Sequence, residues 1–317
     1  MSQADNAAIA ATGDFILPFD IAKAGVRGRL VRLDLASARA LSAHALPEAA
    51  ARIAGESLAL SAMLGTALKL DGRLTVQTKS DGPLDLVAAD YYGEDEEIGK
   101  VRGVRGYARV DEVRLGALQN SDFAKLMGAG SMAITIEPKR GGNTYQGIVA
   151  LSPDGIAASA ETYFLQSEQL PTVNRLAAAP LYLAGDRQPH WRAAGIMLQM
   201  TPESAKPGAA LEDVQTNDDW QRLCILLKTV EDLELLDTQL SPETVLWRLF
   251  HEDEVMVQPA LPISFRCDCA PDRIVQVLNS YAPAERASLA DPDGMIRARC
   301  EFCGTTHEIA PGSLSSP

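Results

Sequence analysis

The chain has 317 residues, of which 46% are hydrophobic and 22% charged, a composition typical of a globular protein with more than one domain. Its formal net charge of −13 argues against nucleic acid and against an anionic membrane surface as partners. The longest uncharged part of the first helical region, residues 57–68, is shorter than the ~20 residues that span a bilayer. Residues 1–13 hold no Lys or Arg and no apolar stretch of a secretory signal, so we expect a short disordered extension on a cytoplasmic protein.

Residues 14–185 carry mixed strand and helix signals. Residues 26–35 alternate apolar and charged side chains, which predicts a half-buried strand. Residues 47–70 have apolar side chains at helical spacing, which predicts a long buried helix. The other predicted elements are strands at 74–77, 84–89, 103–110, 132–136 and 145–151, and a helix at 161–169 that stops before Pro171. These signals predict an α+β core domain with mainly antiparallel sheets.

Residues 186–256 are predicted to form an acidic, metastable helical linker. Residues 201–260 hold 13 Asp and Glu against four Lys and Arg, a net charge of −9. One helix is indicated by apolar side chains at three- and four-residue spacing, with Asp218 or Asp219 as its cap. Its apolar face consists of Trp220, Leu223, Cys224, Leu227 and Val230. Ser241 followed by Pro242 predicts the start of a second helix.

Four of the five cysteines lie in the last 51 residues, as two close pairs that thirty residues separate. Cys267 and Cys269 form the first pair, and Cys300 and Cys303 form the second. Two such pairs can supply the four sulfurs of a tetrahedral zinc site. The pattern predicts a small zinc-binding domain at residues 257–317, with a helix at 272–281 between the pairs and a turn at 291–294.

The cysteines admit three interpretations. In one the zinc is purely structural and the module binds other proteins. In another the thiolates are redox-active, favoured by the flanking Arg266, Arg297 and Arg299, since cations stabilise thiolate. In a third, Cys300 and Cys303 form a thioredoxin-like active site, which requires a βαβ setting that the sequence does not indicate.

Other candidate residues have simpler interpretations. Four cysteines complete a tetrahedron, so His307 is expected to be a surface residue and not a ligand. Cys224 is expected to be a small core residue. No set of nucleophile, base and orienting group is present, so we expect no enzymatic activity.

The motifs resemble those of the redox-regulated heat-shock chaperones of 33 kilodaltons. The resemblance covers residues 14–310 and excludes the N-terminal extension. The zinc-domain motifs are FRCDC at 265–269 and CEFCG at 300–304. The core and linker motifs are GRLTVQTKSDGPL at 72–84, VRGYAR at 104–109, YQGIV at 145–149, YFLQSEQLPT at 163–172 and WRLFHEDE at 247–254.

This resemblance implies an ATP-independent holdase with a core domain, a helical linker lying on it and a zinc domain. In the reduced, inactive state all four cysteines would bind one Zn²⁺. Oxidation would form the disulfides Cys267–Cys269 and Cys300–Cys303, release the metal and unfold the linker. The implied partners are unfolding client proteins, with homodimer formation on oxidation.

Overall fold

The computed structural model describes residues 13–95, 97, 99–118, 122–139, 141–182, 185, 188–201, 217–310 and 314. The N-terminal extension, except Gly13, and part of the predicted linker therefore lie outside the described residues. Contacts divide the chain into two units, Met1–Arg266 and Cys267–Pro317. The predicted α+β class with mainly antiparallel pairing is confirmed.

The first unit contains an eleven-stranded curled sheet. Its main path runs in the order β7-β6-β3-β4-β5-β11-β1-β2-β9-β8, and β10 pairs with β1 beside this path. The strands are β1 (Phe15–Ile21), β2 (Val26–Leu33), β3 (Arg73–Ser80), β4 (Leu84–Tyr92), β5 (Arg102–Val110), β6 (Gly130–Glu137), β7 (Tyr145–Ala150), β8 (Thr172–Leu181), β9 (His190–Met200), β10 (Val255–Val257) and β11 (Leu261–Phe265). All pairs are antiparallel except β11 with β5.

One long helix fills the interior of this curled sheet. The helices that precede the acidic segment are α1 (Leu35–Ser42), α2 (Glu48–Ala67), α3 (Glu112–Gly116), α4 (Phe123–Met127) and α5 (Ile156–Tyr163). Helix α2 matches the predicted buried helix, and most of its side chains are buried. At Gly65 a Cβ would come within 2.0 Å of the Tyr91 ring, so only glycine allows α2 to approach β4 this closely.

The acidic segment forms three helices that cover the other face of part of the sheet. They are α6 (Asp218–Lys228), α7 (Asp232–Leu236) and α8 (Pro242–Phe250). Their apolar faces share one buried cluster with side chains of β1, β2, β8 and β9. The predicted half-buried strand at 26–35 is therefore buried on both faces, because α2 packs on one side and these helices on the other.

Several local expectations are corrected by the structure. The cap of α6 is Asn217, whose Oδ1 accepts a 3.1 Å hydrogen bond from the Trp220 backbone N–H, and not Asp218 or Asp219. His190–Met200, which fell within the predicted helical linker, is strand β9, because it lies between β2 and β8 and completes both of their hydrogen-bond ladders. Leu261–Phe265, expected in the zinc domain, is a strand of the large sheet.

The second unit is small. It contains α9 (Pro271–Asn279), α10 (Pro283–Ser288) and the antiparallel strands β12 (Ile296–Arg299) and β13 (Thr306–Ile309). Helix α9 and the turn at 291–294 match the sequence predictions, with Gly294 at φ 80°. The fully buried apolar side chains of its cluster are Leu278, Ile296 and Ile309. Such a core is too small to hold the unit together without an added crosslink.

Candidate metal centre

The four cysteines of the second unit converge on one point. The Sγ atoms of Cys267, Cys269, Cys300 and Cys303 all lie within 4.8 Å of one another, and each residue is half-buried. The Sγ atoms of Cys267 and Cys300 are 3.7 Å apart, and those of Cys269 and Cys303 are 3.4 Å apart. The structure thus brings together the four residues predicted from the sequence.

The second pair lies in a tight turn of the β12–β13 hairpin. The Cys300 N–H donates to the Thr305 carbonyl at 2.9 Å, and the Gly304 N–H donates to the Cys300 carbonyl at 2.9 Å. Gly304 has φ 69°, a backbone conformation that other residues rarely adopt. This turn directs both sulfurs to the same side. The first pair directly precedes α9, which begins with Pro271 at its first position.

The donor set suits a soft, positively charged metal. Burial and the neighbouring sulfurs raise the pKa of the Cys269 thiol. Burial also raises the pKa of Cys303, but hydrogen bonds with Thr305, whose Oγ1 lies 3.2 Å from Sγ, and with the sulfurs of Cys269 and Cys300 together outweigh it and lower this pKa to about 6. Four thiolates at these distances repel one another unless a cation neutralises them. Four sulfur ligands are the set that structural Zn²⁺ takes.

The charges around the centre differ from the sequence expectation. Arg297 was expected to stabilise the thiolates, and that reason is wrong. Its guanidinium pairs with Asp291 at 2.7 Å, Asp293 at 2.6 Å and Glu308 at 3.0 Å. Because three carboxylates surround its single positive charge, Arg297 joins the 291–294 turn to the hairpin. The Arg266 guanidinium also has a partner other than a cysteine, because it makes a cation–π contact with the Tyr92 ring of the first unit, 4.9 Å from the ring centroid.

His307 is placed closer to the centre than expected. It is half-buried, and its Nε2 lies 3.4 Å from the Cys269 Sγ. The expectation of a surface histidine is therefore wrong. Counting four cysteine ligands in the sequence could not predict this hydrogen bond to sulfur. The position of the His307 ring depends on the pairing of Ala298 with His307 across the hairpin.

The thioredoxin-like interpretation does not match the local structure. Cys300 follows strand β12, but strand β13 follows Cys303 where a thioredoxin-like site needs a helix. Cys224 is half-buried on α6 and packs against the cluster between the helices and the sheet. Burial raises the pKa of its thiol to about 11, as expected of a core residue.

Comparisons with known proteins agree with this arrangement. The family model described as Hsp33 protein matches residues 14–310. The 33 kDa chaperonin of Caulobacter vibrioides is 36% identical over 303 residues, covering 94% of this chain and 95% of that protein. The 33 kDa chaperonin of Ectopseudomonas mendocina is 35% identical over 303 residues, covering 95% and 94%. The crystal structure of the 33 kDa chaperonin from Thermotoga maritima matches with a TM-score of 0.74 at 22% identity, covering 95% of this chain and 96% of that one, and this supports the fold.

The curled sheet, its helical covering and the four-cysteine centre define an α+β protein of two units with a candidate metal site. The family model covers most of the chain and the relatives are 33 kDa chaperonins, so the chain belongs to the Hsp33 chaperone family. Among the residues that the structure describes, no helix has the length and apolar character needed to cross a membrane.

Proposed function

We propose that this chain is an ATP-independent holdase that oxidation of its four cysteines switches on. The observation that carries the proposal is the convergence of Cys267, Cys269, Cys300 and Cys303 within 4.8 Å, in a unit that has few buried apolar side chains of its own. A unit of this kind depends on its crosslink for stability. Oxidation of the sulfurs would remove the crosslink and would therefore unfold the unit.

In the reduced state the four thiolates would hold one Zn²⁺, which supplies the crosslink between the two ends of the unit. The residues that the chain contributes are the sulfurs, the Thr305 hydroxyl beside Cys303 and the His307 ring beside Cys269. Four thiolates must remain reduced until stress occurs, so we place the protein in a reducing compartment such as the cytoplasm.

Oxidation would remove all four ligands. Two molecules of hydrogen peroxide and four protons convert four thiolates into two disulfides and four molecules of water, so that sulfur loses four electrons and peroxide gains them. We propose the pairs Cys267–Cys269 and Cys300–Cys303, which the family resemblance implies and whose members lie only two or three positions apart in the chain.

The activated state would present apolar surface to unfolding proteins. The helical segment buries Trp220, Leu223, Leu227, Leu246 and Phe250 against the sheet. Released helices and the uncovered sheet would offer these side chains to clients of varied sequence. The acidic charge of the segment would keep it dissolved when unfolded. We also propose that the oxidised chain forms a homodimer.

The proposal is tested by treating the reduced, zinc-loaded protein with peroxide at mildly elevated temperature and measuring suppression of client aggregation. Activity that appears only after oxidation, and is reversed by a thiol reductant, would support it. A Cys224→Ser variant is the matched control and should respond like the wild type. Zinc retained through the treatment, without activity, would instead favour a structural ribbon that binds other proteins.

A further inference from the structure

Strand β11 is the single connection between two halves of the described sheet. Strands β7, β6, β3, β4 and β5 form one half, and β1, β2, β9 and β8 form the other. Strand β11 lies between β5 and β1 and pairs with both. If β11 left the sheet, β5 and β1 would each have an unpaired edge. The two edges would face the same gap, which we call the slot.

The pairing of β11 is short. It contacts β1 through the partners Phe15↔Pro262 and Ile16↔Leu261. It contacts β5 in parallel through Ile263↔Arg102, Ser264↔Gly103 and Phe265↔Val104. By contrast, every residue of β8, from Thr172 to Leu181, pairs with β9. A short strand with one parallel neighbour belongs to the least stable part of a sheet and is among the first to open locally.

Strand β11 is also next to the metal centre in sequence. Only Arg266 separates Phe265 from Cys267. The Arg266 backbone N–H donates to the Val104 carbonyl at 2.9 Å, and its side chain donates to the Gly93 carbonyl at 3.2 Å. When the second unit unfolds, the chain that follows Arg266 is released directly beyond these contacts and the C-terminal end of β11.

The side chains of β11 indicate what the slot accepts. Ile263 is buried in the main core, and Leu261 and Phe265 pack partly against it. The Arg39 guanidinium lies 5.2 Å from the centroid of the Phe265 ring. The slot thus receives an extended segment with apolar side chains at alternate positions, together with backbone groups that complete both ladders.

We propose that β11 is a strand-shaped plug, and that its release on activation opens a slot between β1 and β5 that binds an extended, alternately apolar segment of a client protein. This inference rests on the proposed function, because it uses the unfolding of the second unit as the trigger. It adds a backbone-recognising site to the apolar surface beneath α6, α7 and α8. Such a site suits varied clients, because strand addition recognises the backbone and only the apolar pattern of the side chains.

The test uses a synthetic peptide with the sequence of residues 259–265, biotinylated and carrying a benzophenone in place of Ser264. After illumination, crosslinks are mapped by mass spectrometry on the full-length protein in its reduced and oxidised forms. We expect crosslinks at residues 15–16 and 102–104, at least about tenfold more abundant in the oxidised protein. A control peptide with Asp in place of Ile263 and Phe265 should lose them.

A variant opens the slot without oxidation. A Cβ at Gly103 would lie 2.3 Å from the Arg266 Cβ, so Gly103→Ala should loosen the end of β11 in the reduced protein. Gly116→Ala is the matched control, since a Cβ there meets nothing within 4 Å. Reduced Gly103→Ala should be crosslinked at the same residues, and reduced Gly116→Ala should not.

Zinc release and client protection are measured on the same samples, which separates the two proposals. An oxidised protein that has lost zinc and protects clients, but whose slot takes no peptide, would overturn the plug and leave the proposed function standing. Crosslinks of residues 261–265 from a second copy of the chain in the slot would also overturn it. A further outcome is that oxidation produces neither zinc loss nor activity while Gly103→Ala still binds the peptide. That result would support the slot between β1 and β5 and contradict the redox switch.

Discussion

The buried guanidinium of Arg32 on β2 donates a 2.8 Å hydrogen bond from Nε to the carbonyl oxygen of Leu235 on α7. The same side chain donates to the carbonyls of Leu240 at 2.5 Å and Glu234 at 3.2 Å. One residue of the sheet therefore satisfies three carbonyls at the end of α7 and in the turn that follows it. Burial lowers the pKa of Arg32 to about 10, which leaves it charged at neutral pH. This contact fastens the helical segment to the sheet.

Replacing Arg32 should loosen the helical segment. Arg32→Met keeps much of the volume but removes every donor, and leaves the three carbonyls without this partner, at a cost of about 3 kcal/mol. We expect the reduced variant to release the helices at a lower temperature and to protect clients with less oxidant. The measurement is hydrogen exchange at residues 232–250. Arg27→Met, at the exposed position near the start of the same strand, is the control and should leave the exchange unchanged.

A second attachment joins α6 to the turn after α8. Arg222 makes two hydrogen bonds to Asp253, at 2.9 and 2.7 Å, and the Asp253 side chain is only 7% exposed. Asp253→Asn should lower the free energy of unfolding of the helical segment by about 1 kcal/mol. Asp219→Asn should have almost no effect, because Asp219 is 60% exposed and 3.5 Å from Arg222. Equal effects of the two changes in urea unfolding would contradict this account.

The sequence predicts those parts of the fold whose signals are local. The cysteine spacing identified all four converging residues, and helical spacing identified α2. Strand β11 could not be placed, because Leu261–Phe265 is short and its partners lie more than 150 residues earlier in the chain. His307 was missed for the same reason, since its approach to Cys269 depends on tertiary contacts. Local pattern does not encode which distant strands or loops meet.

Stability should depend on pH through Glu56 on α2. Burial raises the pKa of this carboxyl to about 7 from its ordinary 4.5, and Arg52 and Arg175 only partly oppose this, while Asp232 adds to it. The folded protein therefore holds this proton more tightly than the unfolded chain, and stability falls as pH rises from about 4.5 to about 7.

Glu56→Gln removes this titration. We expect the variant to be more stable than the wild type at pH 8, by about 2 kcal/mol, and nearly equal to it at pH 4. Glu48→Gln is the control on the same helix, where the side chain is 58% exposed. Urea unfolding at several pH values gives the comparison. If the free energy of unfolding changed with pH in the same way in the wild type and in Glu56→Gln, the Glu56 carboxyl would not be the source of the pH dependence.

Loss of one sulfur ligand should unfold the second unit alone. Cys300→Ser leaves three thiolates for the metal, and the unit has few buried side chains to compensate. We expect loss of stoichiometric zinc and rapid hydrogen exchange in β12 and β13, while β3 and β4 stay protected. Cys224→Ser should keep both zinc and protection. Full zinc content in Cys300→Ser would contradict the four-sulfur centre.

In the proposed function, oxidation of the four-cysteine centre and the gain of chaperone activity are one event. The most direct measurement follows zinc with a chromogenic chelator while the reduced protein is treated with peroxide at mild heat, and records client aggregation in the same sample. The account predicts release of about one zinc per chain in step with the gain of protection. Zinc that stays bound, with aggregation unsuppressed, would contradict it.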